Sequence, residues 1–240
     1  MRLPTIRGVI RRRLLLNYRV DPDVMARHLP ERFEPVLHRG KAIAGICLIR
    51  LEEIRPRGAP RPFGVSSENA AHRVAVRWSD ANGPREGVFI ARRDTGSLLN
   101  RIAGGRLFPG EHHPARFVVE DDGARIALSM HSADGMVSLD LRARSSRHLA
   151  PSSSFDSIEQ ASRFFEQGAV GYSVTADPRR LDGVRLVPAE WTITPLEVDR
   201  VRSSYFSDSS LFPEGSVEFD CGLLMRGIEH EWRSERDLTV

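Results

Sequence analysis

Apolar and polar residues alternate along most of this chain, at the period of two that sends successive side chains to opposite faces of a strand. Runs at 8–19, 41–55, 72–78 and 86–94 are rich in Val, Ile and Leu and are bounded by Pro, Gly or Asn. Farther on, 115–120 and 124–131 flank Asp121-Asp122-Gly123, and 136–143 follows Ala133-Asp134-Gly135. Asp-Gly pairs suit tight hairpin turns, so these three segments predict a meander. Runs at 171–176, 185–194 and 217–227 complete about ten candidate strands. Many short strands separated by turn signals predict a mainly β (α+β) protein, an antiparallel barrel or sandwich.

Helical signals are few. Asp21-Pro22 places a capping residue before a first-turn proline, 24–29 follows, and Pro30 ends it, which predicts a helix of one or two turns. Ser157-Ile158-Glu159-Gln160 fits a capping box; Ile158, Ala161, Phe164 and Phe165 then share one face, and Gly168 stands where the helix should stop. That face predicts packing on a sheet. A third helix is expected over 97–103, ahead of Gly104-Gly105, and a weaker signal lies over 204–211.

Composition narrows the class. The 240 residues are 40% apolar and 28% charged, as in a folded domain. A chain of this length buries roughly 70 to 75% of its unfolded surface, and no linker divides it, so a single domain over 1–240 is expected. No apolar stretch approaches the roughly 20 residues of a membrane span, and 1–20 interleaves arginines with short apolar runs, unlike a signal peptide. A cytoplasmic protein without a membrane partner is expected. Cys47 and Cys221 are 174 positions apart, a spacing that encodes neither a disulfide framework nor a zinc ribbon. Basic residues number 35 against 32 acidic ones, for a net charge of +3. The arginines are dispersed among Asp and Glu, so no nucleic-acid partner is expected. Lys41 is the single lysine.

No phosphate loop, Gly-x-Ser-x-Gly elbow or His-Glu-x-x-His helix is present. His112-His113 offers two imidazoles at a loop-to-strand junction, where neighbours point to opposite faces. Surface, pocket-lining and metal-binding readings all stay open at that pair. Glu68-Asn69 precedes the strand that opens at His72. A carboxylate entering a barrel is costly to bury unless paired, which makes Glu68 a site candidate if arginines are close, and a solvated loop residue otherwise. In the first strand, alternation sends Arg11 and Arg13 to one face and Arg12 to the other. Arg92-Arg93-Asp94 ends another strand the same way. Salt-bridged outer edges are the plainer reading of both arginine runs, and Trp191 and Trp232 read as core or interface residues.

Several of these segments fall in a familiar order: Tyr18-Arg19-Val20-Asp21, Leu29-Pro30, Phe33-Glu34-Pro35, a strand at 42–49, Glu68-Asn69, and Gly83 with Gly87-Val88-Phe89 running to Asp94. They are followed by Gly105-Arg106-Leu107-Phe108, Pro114-Ala115-Arg116-Phe117, the helix and strand of 155–172, and Pro195-Leu196-Glu197 ahead of 217–224. In order and spacing, over most of its length, the chain resembles the acetoacetate decarboxylase-like proteins, and more closely the YqjF-like family within that superfamily. The resemblance implies a closed, cone-like antiparallel β-barrel with a few short flanking helices, a polar interior pocket and assembly into a homo-oligomer.

The decarboxylase carries two consecutive lysines, one of which forms a Schiff base with a keto acid. By position that pair falls on or beside His112-His113, and neither is lysine. Imidazole does not form the protonated imine that serves as electron sink. The decarboxylase's pocket glutamate falls on Glu68, and its entrance-strand arginine lies near Arg11. Lys41, after Gly40 in a hairpin-like turn, takes no catalytic position.

The expectation is therefore a barrel that binds a small, anionic organic molecule, a carboxylate or keto compound, using Glu68, His112, His113 and an arginine such as Arg11 or Arg93. Its chemistry would be acid–base, without a Schiff base, cofactor or metal. The alternative is a non-catalytic binding or assembly protein that retains the barrel.

Overall fold

The computed structural model describes residues 5–60, 64–81, 83–97 and 110–239. Its strands are β1 (Ile6–Val20), β2 (Glu34–Pro35), β3 (Leu37–His38), β4 (Lys41–Pro56), β5 (Val65–Asp80), β6 (Gly83–Thr95) and β7 (His113–Asp121). They continue as β8 (Arg125–Ser132), β9 (Ser138–Ser145), β10 (Val170–Val174), β11 (Arg180–Pro188), β12 (Thr194–Ser203), β13 (Val217–Ser234) and β14 (Leu238–Thr239). Two α-helices lie among the described residues, α1 (Pro22–Ala26) and α2 (Ile158–Glu166).

All the strands belong to one sheet, and that sheet closes on itself twice. One ring runs β6, β10, β11, β13, β1, β4, β5 and back to β6. A larger ring leaves β6 through β7, β8, β9 and β12 before rejoining β13. Five strands, β13, β1, β4, β5 and β6, are thus shared walls with one face in each ring. The pairings are antiparallel except at β6, which meets β10 and β7 in parallel and so completes both closures. The antiparallel closed fold expected from the sequence is present, with these two parallel joints added.

Sharing a wall explains why β1 and β4 read as nearly continuous apolar runs. Leu14, Leu16, Tyr18, Ala44, Ile46 and Leu48 face the larger ring, packing against Ile126, Leu128, Met130, Leu139 and Leu141. Leu15, Ile43, Cys47, Ile49, Leu223 and Met225 face the smaller one. Burial on both faces removes the polar alternation of a half-exposed strand.

Helix α1 starts as its cap predicts, with Asp21 accepting from the Asp23 and Val24 N–H groups, and ends at Ala26, short of Pro30. Ser157 caps α2 by accepting from the Gln160 N–H at 3.2 Å, and α2 buries Ala161 and Phe165 against the smaller ring. The segment 204–211 folds as turns rather than a helix. It seats Phe206, which stacks on Tyr18 at 4.0 Å. Most of the helix expected over 97–103 lies outside the described residues. The run predicted at 185–194 proves to be the end of β11 and the start of β12, split by a connection around Trp191.

Candidate functional site: an arginine-lined cavity

Inside the smaller ring is a cavity of about 80 Å³. Its walls are mostly apolar, including Ile49, Leu51, Ile90, Val184, Leu186 and Trp232, but Arg13, Arg73, Arg93, His112, Asn69 and Asp94 also line it.

Each guanidinium reaches the cavity for a local reason. In β1 the pairing with β4 slips by one residue between Ile10 and Arg12. Arg11 is the extra residue of this bulge and is exposed, while Arg13 takes the inner face. Its Nε lies 3.3 Å from Cys47 Sγ, and its guanidinium sits 5.7 Å from the Trp191 ring centroid. Arg73 is only 6% exposed. It donates to Asn17 Oδ1 at 2.6 Å and lies over the Phe165 ring that α2 supplies. In β6 a second slip, opposite His72 and Arg73, makes Ala91 the extra residue. Ile90 and Arg93, three apart, thereby share the cavity face. Arg93 donates through Nε to Ser173 Oγ at 2.9 Å.

These partners are all neutral. Among the described residues no carboxylate lies within ion-pair distance of Arg13, Arg73 or Arg93. Asp94 is held by Arg92 at 2.8 Å, and Asp182, the acid nearest in influence to Arg93, is held by Arg180 at 2.9 Å and by the Gly110 N–H at 3.1 Å. Desolvation lowers the pKa of both Arg73 and Arg93 to about 10, so both stay charged at neutral pH. Arg73 Nε and Trp232 Nε1 are buried donors without a hydrogen-bond partner among the described residues. The cavity therefore offers fixed positive charge and unsatisfied donors, an environment for an anion.

His112 is positioned by the residues before it. Gly110 adopts φ 87°, and a Cβ there would fall 2.5 Å from Ser173 Cβ, so only glycine fits this approach to β10. The Glu111 N–H then bonds Val174 O at 3.0 Å. The Gly110 carbonyl faces His112 Nδ1 at 3.2 Å. A carbonyl only accepts, which assigns the ring proton to Nδ1 and leaves the Nε2 lone pair free. Burial, and then the Arg93 charge, lowers the His112 pKa to about 4. The ring is neutral at physiological pH.

Three sequence candidates take other places. Glu68 and Asn69 lie within β5, which begins at Val65, seven residues before the predicted strand. Alternation puts Asn69 and Arg73 on the cavity face and Glu68 on the opposite one. There Arg12 binds both Glu68 carboxylate oxygens, at 2.8 and 3.0 Å. Burial outweighs Arg12 and raises the Glu68 pKa. His113, the first residue of β7, points away from His112 and lies 3.6 Å from Asp134, in a group with Arg92 and Asp94. Arg11 is exposed in its bulge. His112 and Arg93 are the sequence candidates that meet in the cavity. Arg13 and Arg73 join them, and their charge inside an apolar strand pattern was the available signal. Lys41 is half exposed, with Nζ 3.9 Å from Asp21, at the start of β4.

A profile of the DUF2071 family, described as an uncharacterized conserved protein, matches residues 9–219. The chain belongs to the DUF2071 family. No curated protein matches it. In fold, this DUF2071 member is similar to an acetoacetate decarboxylase from Legionella pneumophila, at 16% identity and TM-score 0.61, covering 99% of this chain and 88% of that one. It is similar also to an acetoacetate decarboxylase-like enzyme from Sphingomonas wittichii RW1, at 14% identity and TM-score 0.56, over 98% and 92% of the two chains. A third similar structure is the enduracididine biosynthesis enzyme MppR complexed with pyruvate, at 12% identity and TM-score 0.57, over 99% and 90%. At these identities the likeness establishes the fold.

Proposed function

We propose that this DUF2071 member binds a small, anionic organic molecule, a carboxylate or keto compound, in the arginine-lined cavity and performs acid–base chemistry on it without a Schiff base. The observation that carries this reading is the convergence of Arg13, Arg73 and Arg93, none ion-paired to a carboxylate among the described residues, with the neutral His112 in the same cavity. A guanidinium holds a carboxylate through paired N–H donors. With a keto acid held so that a C–H adjacent to its ketone approaches His112, Nε2 takes that proton, the C–H pair forms the new C=C bond and the carbonyl π pair moves to oxygen as an enolate. A carboxylate on Arg93 offsets the charge that otherwise disfavours the imidazolium. A guanidinium is the group suited to stabilise that oxygen. The single lysine, Lys41, is outside the cavity lining. That supports a route without an imine. The same facts support a second reading, binding without turnover.

The experiment is α-proton exchange of keto acids in deuterated water, followed by NMR. Exchange is expected in the native protein and lost in His112→Ala, while borohydride should trap no adduct on Lys41. Saturable binding with no exchange would favour the second reading. A reduced lysine adduct would overturn the proposed route.

A further inference from the structure

Building on the proposed anion site, we infer that its ligand is a dianion with two separated acidic groups, a dicarboxylate rather than a simple monocarboxylate. The basis is the arrangement of the charges around the ring. Arg13 on β1 and Arg93 on β6 are separated by three strand steps in one direction, through β4 and β5, and by four in the other, through β13, β11 and β10. They stand on opposite walls. Arg73 lies between them on β5 and, with Arg13, also borders a second, smaller recess beneath α2, which Arg93 does not line. Cys47 marks the space they share: Arg13 donates to its sulfur, and both Arg73 and Arg93 lie within electrostatic reach of it.

Asp94 borders this space and Asp182 lies within electrostatic reach of Arg93, but they are held by Arg92 and Arg180, and among the described residues none of the three guanidiniums has a carboxylate within ion-pair distance. One carboxylate would leave two guanidiniums in an apolar enclosure with only neutral partners, a costly arrangement. Two carboxylates, one between Arg13 and Arg73 and one at Arg93, leave a single excess charge. A compact dianion such as phosphate places its charges on one centre and does not suit donors on facing walls.

Calorimetric titration tests this with malonate, succinate and glutarate against propionate, butyrate and inorganic phosphate. The best diacid should bind about ten-fold tighter than the monoacid of equal chain length, since a charge-assisted contact contributes on the order of one such factor or more. Arg93→Met should bring that ratio to about one, and Arg93→Lys should retain part of it. Equal affinity for diacids and monoacids in the native protein overturns the dicarboxylate inference but leaves the anion site standing. Phosphate binding as tightly as the best diacid likewise overturns it in favour of a compact dianion. Failure of every anion to bind overturns the site itself. The native-protein comparison decides the matter even if a variant fails to fold.

Discussion

Arg12 binds both carboxylate oxygens of Glu68 on the far side of β1 from the neighbouring Arg13 guanidinium, so two adjacent arginines serve two different interiors. Asp121 extends the Arg12 contact at 3.5 Å and is itself gripped by Arg226 at 2.7 Å. The group joins β1, β5, β7 and β13 around the larger ring.

Glu68→Gln should therefore act on stability rather than on the cavity. Removing one partner of a mostly buried, charge-assisted pair is expected to cost roughly 1–3 kcal/mol. Urea denaturation should show that loss, with carboxylate affinity unchanged. Normal stability combined with lost binding would return Glu68 to the site.

His112 should remain neutral far below the usual histidine range, because burial and Arg93 both disfavour its charged form. Imidazole ¹⁵N shifts should show a proton on Nδ1 and a midpoint near 4. Arg93→Met removes a like charge and should move that midpoint upward. A midpoint at 6.5 in the native protein would show that the ring is solvated.

Cysteine labelling reports the charge of the cavity. Cys47 lines it, whereas Cys221 is 1% exposed, accepts from Asn17 and has its pKa raised by burial. In native protein Cys47 should be alkylated first. The negatively charged iodoacetate should gain about ten-fold over neutral iodoacetamide, relative to the same ratio on unfolded chain, by local enrichment of the anion. The reaction forms an S–C bond and expels iodide. Arg13→Met should erase the advantage, as peptide mass spectrometry would show.

Acid should weaken the fold before most carboxylates titrate. Burial lowers the pKa of His72 to about 3 and those of His112 and His230 to about 4. Between pH 6.5 and 4 the unfolded chain binds these protons and the native state does not, so stability falls as pH falls through that window. Each histidine contributes on the order of 1 kcal/mol per pH unit there. Urea midpoints measured from pH 7 to 4.5 should drop, and His72→Phe, which keeps a ring against Tyr205, should flatten the slope. An unchanged slope would show that His72 is protonated in the native state.

Strand content was legible because side-chain period and Asp-Gly turns are local properties. Ten runs forecast ten of the strands, and the caps at Asp21 and Ser157 marked both helix starts. Short strands such as β2, β3 and β14 carry too few residues to show a period. The faces were less legible. Alternation grouped Arg11 with Arg13, but the bulge at Arg11 pushes it to solvent, and the bulge at Ala91 turns Arg93 onto the face of Ile90.

The sequence by itself determined that the chain is a β-rich fold with one lysine, two unpaired cysteines and arginine as nearly its whole positive charge. Only the tertiary structure decided which arginines are paired. Glu68 reaches Arg12 from another strand, whereas Asp94 and Asp182 are taken by Arg92 and Arg180 two residues away on their own strands, and the slip at Ala91 leaves Arg93 on the other face as an open guanidinium. Arg13, Arg73 and Arg93 are left facing one cavity because two strand slips and a double ring closure bring them there.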